Sequence, residues 1–166
     1  MVSVFSAYAP SPLAVWLLAL AVVAYVFTGT RLAILDARTH KLPNRIVGPW
    51  YPVAAGLLGA AAVVAGHGGD AWRMLAGGGI LFGVYLLLHL IQPKGMGMGD
   101  VKLSGVLGFY LGLTSWEHLL LGTFATFLIG GIYAGVLVAA KKATTKSSIP
   151  FGPFMIVGTA AALLIG

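Results

Sequence analysis

Two of the chain's four acidic residues lie beside long apolar stretches, where a charge is costly. Asp36 ends the first apolar stretch. Asp100 ends a glycine-rich run that begins at Gly95 and lies between two later apolar stretches. An ionisable group next to membrane hydrocarbon is by default a candidate functional group. Two carboxyl groups at one site can act as general acid and general base if one is protonated and the other ionised. The sequence therefore predicts that Asp36 and Asp100 form a catalytic pair.

The composition indicates an integral membrane protein. Apolar residues make up 59% of the 166 residues and charged residues 8%, whereas soluble domains are about 25% charged. The apolar residues form long runs rather than short alternating segments, which predicts an all-α polytopic helical bundle and not a β-barrel. The absence of cysteine excludes a disulfide framework, a zinc ribbon and a thiol nucleophile. The four histidines are not at ligand spacing, so we expect neither a metal nor a cofactor.

Six stretches are candidate transmembrane helices, because about 20 apolar residues are needed to cross the hydrocarbon. They are Leu13 to Leu35, Ile46 to Ala65, Trp72 to Ile91, Val101 to Thr114, Leu119 to Ala140 and Phe151 to Gly166. The fourth and the last are short, which predicts tilting, local thinning of the bilayer, or a segment that dips into the membrane. We expect residues 1–166 to form a single membrane-embedded domain.

The loops between these stretches alternate in charge, and this predicts the orientation. Nine of the ten Lys and Arg residues fall on one side, namely Arg31, Arg38, Lys41, Arg45, Lys94, Lys102, Lys141, Lys142 and Lys146. Basic loops face the cytoplasm, so Asp36 and Asp100 are predicted to face it together, with the N-terminus outside. The same distribution explains the net charge of +6, and no nucleic-acid partner is expected.

Small residues at four-residue spacing are typical of helices that pack closely in lipid. The pairs are Gly79 and Gly83, Gly108 and Gly112, and Gly131 and Gly135. We interpret them as packing positions within the bundle. A dedicated dimer face is the alternative.

The segment from Asp36 to Asn44 is the first motif with chemical potential. An acid at a helix C-terminus opposes the helix macrodipole, so capping does not explain Asp36. The alternative is a solvated acid paired with Arg38 or Lys41. Pro43 disfavours helical geometry at the preceding residue and can open the next helix, which predicts a short, directed loop.

The segment from Gly97 to Leu103 is the second motif. Its glycines permit positive φ and close approach of another backbone, as an extended peptide substrate requires. The alternative role for Asp100 is to cap the helix that follows, which is compatible with catalysis. Lys102 is a candidate for lowering the pKa of Asp100 or for contacting substrate, with a snorkelling interfacial lysine as the alternative.

Four further features are weaker candidates. We expect His89 to hydrogen-bond within the bundle, and Asp70 with Arg73 to form an ion pair on the outer side. The segment from Phe151 to Phe154 marks either a membrane re-entry near the site or a plain helix start. Arg38, His40 and Lys41 are candidates for recognising an acidic group of a substrate, although membrane topology also explains them.

These motifs resemble those of the type IV prepilin peptidases, which are GxGD-class intramembrane aspartic proteases. The resemblance rests on three segments, which are Asp36 with Leu42-Pro43-Asn44, Gly97-x-Gly99-Asp100 with Lys102-Leu103, and Ile149 to Phe154. It implies that Asp36 and Asp100 are the catalytic aspartates. It also implies supporting or substrate-binding roles for Gly97, Gly99, Lys102, Leu42, Pro43 and Asn44.

The resemblance further implies the substrate, which is a precursor of a pilin, of a tight-adherence pilin or of an archaellin-like protein. Its short basic leader is cut at the cytoplasmic membrane face. The long bacterial members carry paired CxxC motifs linked to N-methylation, and nothing in this sequence corresponds to them. The resemblance therefore implies the short, peptidase-only form, without methyltransferase activity or zinc.

Two other functions remain open at this level. A small transporter would use Asp36 and Asp100 as a proton or cation relay, and a scaffold for pilus assembly would not need either acid. The helix dipole suggests that Asp36 carries the shared proton, because negative charge is disfavoured at a helix C-terminus and favoured at a helix start. This effect is only ~0.3–1 kcal/mol and the pair titrates jointly, so the reverse assignment also stays open.

Overall fold

The computed structural model describes residues 1–93, 95–141 and 149–165, and all regular secondary structure in these ranges is helical. The helices are α1 (Val2–Tyr8), α2 (Pro12–Thr39), α3 (Asn44–Val64), α4 (Gly68–Ile91), α5 (Met98–Thr114), α6 (Trp116–Ala139) and α7 (Gly152–Leu164). The predicted all-α class is confirmed. Each of the six predicted stretches overlaps one of the helices α2 to α7, whereas the short helix α1 was not predicted. The predicted end of the last stretch, Gly166, lies outside the described residues.

Four of these helices are long and apolar enough to cross a membrane, namely α2, α3, α4 and α6. The chain is thus a multi-pass membrane protein. Helices α5 and α7 are shorter, with 17 and 13 residues. Helix α5 packs against α3, α4, α6 and α7. From Asp100 to Thr114 every residue except Lys102 and Phe109 is buried, so α5 forms the centre of the bundle.

Helices α4 and α5 pack backbone to backbone. A Cβ atom built on Gly108 would lie 2.6 Å from the carbonyl oxygen of Gly77, and one on Gly112 would lie 3.1 Å from the Cα of Gly77. The packing role predicted for Gly108 and Gly112 is therefore confirmed. It is wrong for the other two pairs, Gly79 with Gly83 and Gly131 with Gly135, because within the described chain a Cβ there would have no atom within 4 Å.

Arg73 fixes the end of α5 that lies away from Asp100. Its Nε donates to the carbonyl of Gly112 at 2.7 Å and one terminal nitrogen donates to the carbonyl of Leu113 at 2.6 Å. Those carbonyls have no hydrogen-bond partner within the helix, so the guanidinium supplies the N–H donors that the helix end lacks. Arg73 also pairs with Asp70 at 2.9 Å, which confirms the predicted ion pair.

An aromatic cluster of Tyr25, Trp50 and Tyr110 joins the helices that carry the two aspartates. The indole of Trp50 donates to the hydroxyl of Tyr110 at 3.2 Å, and that hydroxyl donates to the carbonyl of Ala21 at 3.0 Å. Tyr25 donates to the carbonyl of Ile156 at 2.6 Å. These bonds satisfy the polar ends of buried aromatic rings and fix α2, α3, α5 and α7 against one another.

Candidate active site

Asp36 is the last member of a buried stripe that runs along one face of α2. The other members are Ala14, Leu18, Ala21, Tyr25, Gly29 and Leu32. The Asp36 side chain is only 4% exposed, and its Oδ2 accepts a hydrogen bond from the backbone N–H of Gly152 at 2.9 Å. No ion pair in the described ranges involves Asp36. The alternative of a solvated loop acid is therefore wrong.

Asp100 lies in the first turn of α5, where Gly97 is the N-cap residue. Its side chain is 8% exposed, and its Oδ2 accepts from the backbone N–H of Gly97 at 3.0 Å. Asp100 thus closes the helix start from the third helical position rather than as the N-cap residue itself. Its other carboxylate oxygen is not used in this bond and is available for chemistry.

Both aspartates line one cavity of about 450 Å³. The other residues of its wall are His40, Lys41, Leu42, Pro43, Asn44, Gly97, Met98 and Gly99. Burial, and then the negative charge of Asp36, raise the pKa of Asp100 to about 6, while the hydrogen bond from Gly97 lowers it. The fold therefore brings Asp36 and Asp100 to one cavity, close enough for the charge of Asp36 to affect the ionisation of Asp100.

Gly99 is a glycine because the loop at Leu42 comes very close to it. A Cβ atom on Gly99 would lie 2.8 Å from the Cβ of Leu42. The close approach predicted for the motif glycines is therefore present. The motif glycines do not have positive φ. Gly97 has a φ of −74°, and among the described residues the glycine with positive φ is Gly66. Space, rather than backbone conformation, is what Gly99 provides.

Lys102 and Asn44 connect the two motifs by a direct hydrogen bond. The Nζ of Lys102 donates to Oδ1 of Asn44 at 3.0 Å, and the hydroxyl of Tyr51 donates to the Lys102 carbonyl at 2.6 Å. Asn44 lines the cavity, whereas Lys102 does not. These bonds hold the start of α3 against the start of α5.

His89 forms the expected hydrogen bond within the bundle. Its Nδ1 donates to the carbonyl of Met96 at 2.7 Å, which ties the segment before Gly97 to α4. Because His89 is bonded to the chain one residue before the second motif, it supports the geometry of that motif. It does not line the cavity.

Gly152 is the site residue that sequence reasoning did not single out. Helix α7 begins at Gly152, so the segment from Phe151 to Phe154 contains a helix start, and a membrane re-entry at this segment stays a prediction. The sequence does contain a signal for the helix start, because Pro150 disfavours helix before it and Pro153 favours a first helical turn. Such a helix start leaves backbone N–H groups free for an acidic acceptor. The sequence does not say which acid that is.

The sequence is similar to those of known proteins. Residues 13–135 match the model of the type IV leader peptidase family. The prepilin leader peptidase/N-methyltransferases of Stutzerimonas stutzeri and Pseudomonas aeruginosa are each 32% identical over 139 residues, which is 81% of this chain and 46% of each relative. The Bacillus subtilis protein of the same name is 30% identical over 138 residues, 81% of this chain and 51% of the relative.

The chain spans about half the length of these curated relatives. No solved structure matches it. The matched region contains Asp36, Asp100 and the whole cavity wall between them. The family model covers well over half of the chain, and the predicted resemblance is confirmed: this chain belongs to the type IV leader peptidase family.

Proposed function

We propose that this protein is a membrane aspartic endopeptidase that removes the short basic leader of a type IV prepilin-like precursor. The observation that carries the proposal is the meeting of two buried carboxyl groups, Asp36 and Asp100, in one cavity. Family membership and the names of the relatives support the same activity. Peptide hydrolysis by a carboxyl pair requires no metal and no cofactor.

In the mechanism that we propose, Asp36 is the general base and Asp100 is the general acid. The Gly152 N–H donates to the Asp36 carboxylate, and a hydrogen bond to the charged form offsets part of the cost of burying that charge. The pKa of Asp100 is raised to about 6, so Asp100 takes up the shared proton as the pH falls toward that value. This is the reverse of the assignment from the α2 dipole alone, which did not include the amide of α7.

Hydrolysis then proceeds by addition of water to the scissile carbonyl. Asp36 removes a proton from the water as its oxygen attacks the carbonyl carbon, and Asp100 donates its proton to the carbonyl oxygen. In the collapse of the tetrahedral intermediate the C–N bond breaks, Asp36 delivers its proton to the leaving nitrogen, and Asp100 takes a proton back from a hydroxyl of the intermediate as the new carboxyl group forms. The pair ends with one proton, as it began.

The proposed location is the cytoplasmic membrane, with the cavity facing the cytoplasm and the N-terminus outside. The basic residues close in sequence to the two aspartates, Arg38, Lys41 and Lys102, support this orientation by the excess of positive charge in cytoplasmic loops. A precursor whose leader lies in the cytoplasm would present its cleavage point at this level of the membrane. Leu42, Pro43 and Asn44 would form the wall against which the extended leader lies.

The test is leader removal from a precursor pilin by the purified protein in liposomes, followed on gels and by mass spectrometry. We expect Asp36→Asn and Asp100→Asn to insert normally and to lose cleavage. Glu117→Gln is the matched control, because Glu117 is exposed and outside the cavity. Leader removal that persists in either Asp→Asn variant contradicts the proposal. Proton flux without cleavage would indicate a relay, and unchanged pilus assembly in both variants would indicate a scaffold.

A further inference from the structure

The amide of Gly152 is held in place by contacts that do not involve Asp36. Phe151, one residue before it, packs against Phe127 of α6 and Tyr85 of α4, with ring centroids 5.3 Å and 6.5 Å apart. Farther along α7, the carbonyl of Ile156 accepts from the Tyr25 hydroxyl of α2. The N–H that donates to Asp36 is therefore preorganised by packing on three other helices.

Position 152 also has no space for a side chain. A Cβ atom there would lie 2.8 Å from Oδ2 of Asp36, 3.3 Å from its Cγ and 3.4 Å from its Cβ. Any side chain would displace either the carboxylate or the start of α7. Gly152 thus both donates to the carboxylate and leaves the volume that the carboxylate occupies.

We propose that Gly152 is a positioning residue for Asp36, which fixes the orientation and the ionised form of this carboxylate through the first amide of α7. The inference rests on the proposed function, because it assigns to Asp36 the role of general base. It adds a third chain segment, distant in sequence from both aspartates, to the machinery of the site.

The first experiment compares Gly152→Ala with Gly131→Ala. In α6, a Cβ atom on Gly131 would have no atom within 4 Å, so the control adds the same methyl group in open space. We expect Gly152→Ala to lower kcat about 100-fold with KM nearly unchanged, as is typical of a misplaced catalytic group. We also expect the acidic limb of its pH–rate profile to move to higher pH, because ionised Asp36 loses a donor. An unmoved limb would overturn the proposal, since a purely structural defect lowers the active fraction at every pH.

A second variant removes the N–H without adding a side chain. Glycolic acid incorporated at position 152 by nonsense suppression in a cell-free system replaces the amide with an ester. We expect a loss of at least about tenfold in kcat, the size of one hydrogen bond to a charged group, and the same shift of the acidic limb. Wild-type kcat and an unshifted profile in the ester variant would contradict the proposal even if Gly152→Ala fails to fold.

A stability measurement tests the contact without any activity. Gly152→Ala is expected to lower Tm by several degrees in the wild type, and by much less in an Asp36→Ala background, because the conflicting carboxylate is then gone. Equal losses in both backgrounds would refute the contact. If the wild-type protein does not cleave a precursor, the proposed function fails, while this coupling still reports on Gly152 and Asp36.

Discussion

Gly99 and Leu42 are in direct contact across the candidate site, although one precedes Asp100 in α5 and the other follows Asp36 in the loop before α3. The contact leaves no room for a Cβ atom on Gly99, which would lie 2.8 Å from the Cβ of Leu42. It sets how closely the two motifs approach each other. The spacing of the cavity wall therefore depends on a glycine that donates no hydrogen bond to either aspartate.

Gly99→Ala is predicted to separate the two motifs. Overpacking at such a contact costs about 1–3 kcal/mol, so we expect a lower Tm and cleavage reduced at least about tenfold. Adding Leu42→Gly to Gly99→Ala removes the conflicting atom and should recover part of the stability. The control is Gly79→Ala, which meets no atom within 4 Å and is expected to be neutral or slightly stabilising. Equal Tm values for Gly99→Ala and Gly79→Ala would contradict the contact.

Stability is predicted to depend on pH through Asp100. Its pKa in the folded protein is about 6, against an ordinary value of 3.8, so the folded state binds more protons than the unfolded state between these values. Stability from this group is therefore fully present below about pH 4 and is lost as the pH rises through 6. In thermal unfolding, Asp100→Asn should be more stable than wild type at pH 7.5, with the difference shrinking toward pH 5. A difference that stays constant with pH would contradict this prediction.

The bond between Lys102 and Asn44 is predicted to support activity modestly. Because Asn44 is exposed, the bond is worth only about 0.5–1 kcal/mol. We expect Lys102→Met and Asn44→Ala each to reduce the cleavage rate by less than about tenfold, and the double variant to lose little more than either single one. Initial rates of leader removal form the double-mutant cycle. If the loss of cleavage rate in the double variant equals the product of the two single losses, the two side chains act independently, which would contradict the prediction.

Arg73 is predicted to stabilise the fold without taking part in the chemistry. Removing it leaves the carbonyls of Gly112 and Leu113 without the Arg73 donor and leaves the Asp70 carboxylate without its ion pair to Arg73, although the Tyr8 hydroxyl still donates to Asp70. We expect Arg73→Met to cost about 2–4 kcal/mol of stability while cleavage per folded molecule stays near wild type. Arg31→Met serves as the control, because Arg31 is exposed and its guanidinium lies over the ring of Phe27. A large loss of kcat in a well-folded Arg73→Met protein would contradict the prediction.

The helices were predictable because, within a membrane, an apolar run of this length satisfies its backbone hydrogen bonds by forming a helix. The meeting of Asp36 and Asp100 was predictable from their common membrane side. The spacing of Asp36 places it on one face of α2 with Ala14 and Leu32, but the other faces of α2 are also apolar, so the sequence does not say which face is buried. Local patterns of this kind specify which residues share a face of one helix.

The features that could not be predicted from the sequence depend on contacts between segments far apart along the chain. The four-residue spacing of Gly131 and Gly135 places them on one face, but does not say that this face has no neighbouring helix. The donor to Asp36 lies 116 residues farther along the chain, so the local helix dipole gave the opposite proton assignment from the one proposed here. Helix α1, with seven residues, is too short to give a periodic signal.

The enclosure of α5 also affects how the bilayer acts on the protein. A transmembrane helix that contacts lipid must match the hydrocarbon thickness by tilting, stretching the bilayer or thinning it. Helix α5 has 17 residues and packs against α3, α4, α6 and α7, so it does not need to match the hydrocarbon thickness. The longer helices around it contact the lipid instead. Changes in acyl-chain length therefore reach Asp100 only by way of its surrounding helices.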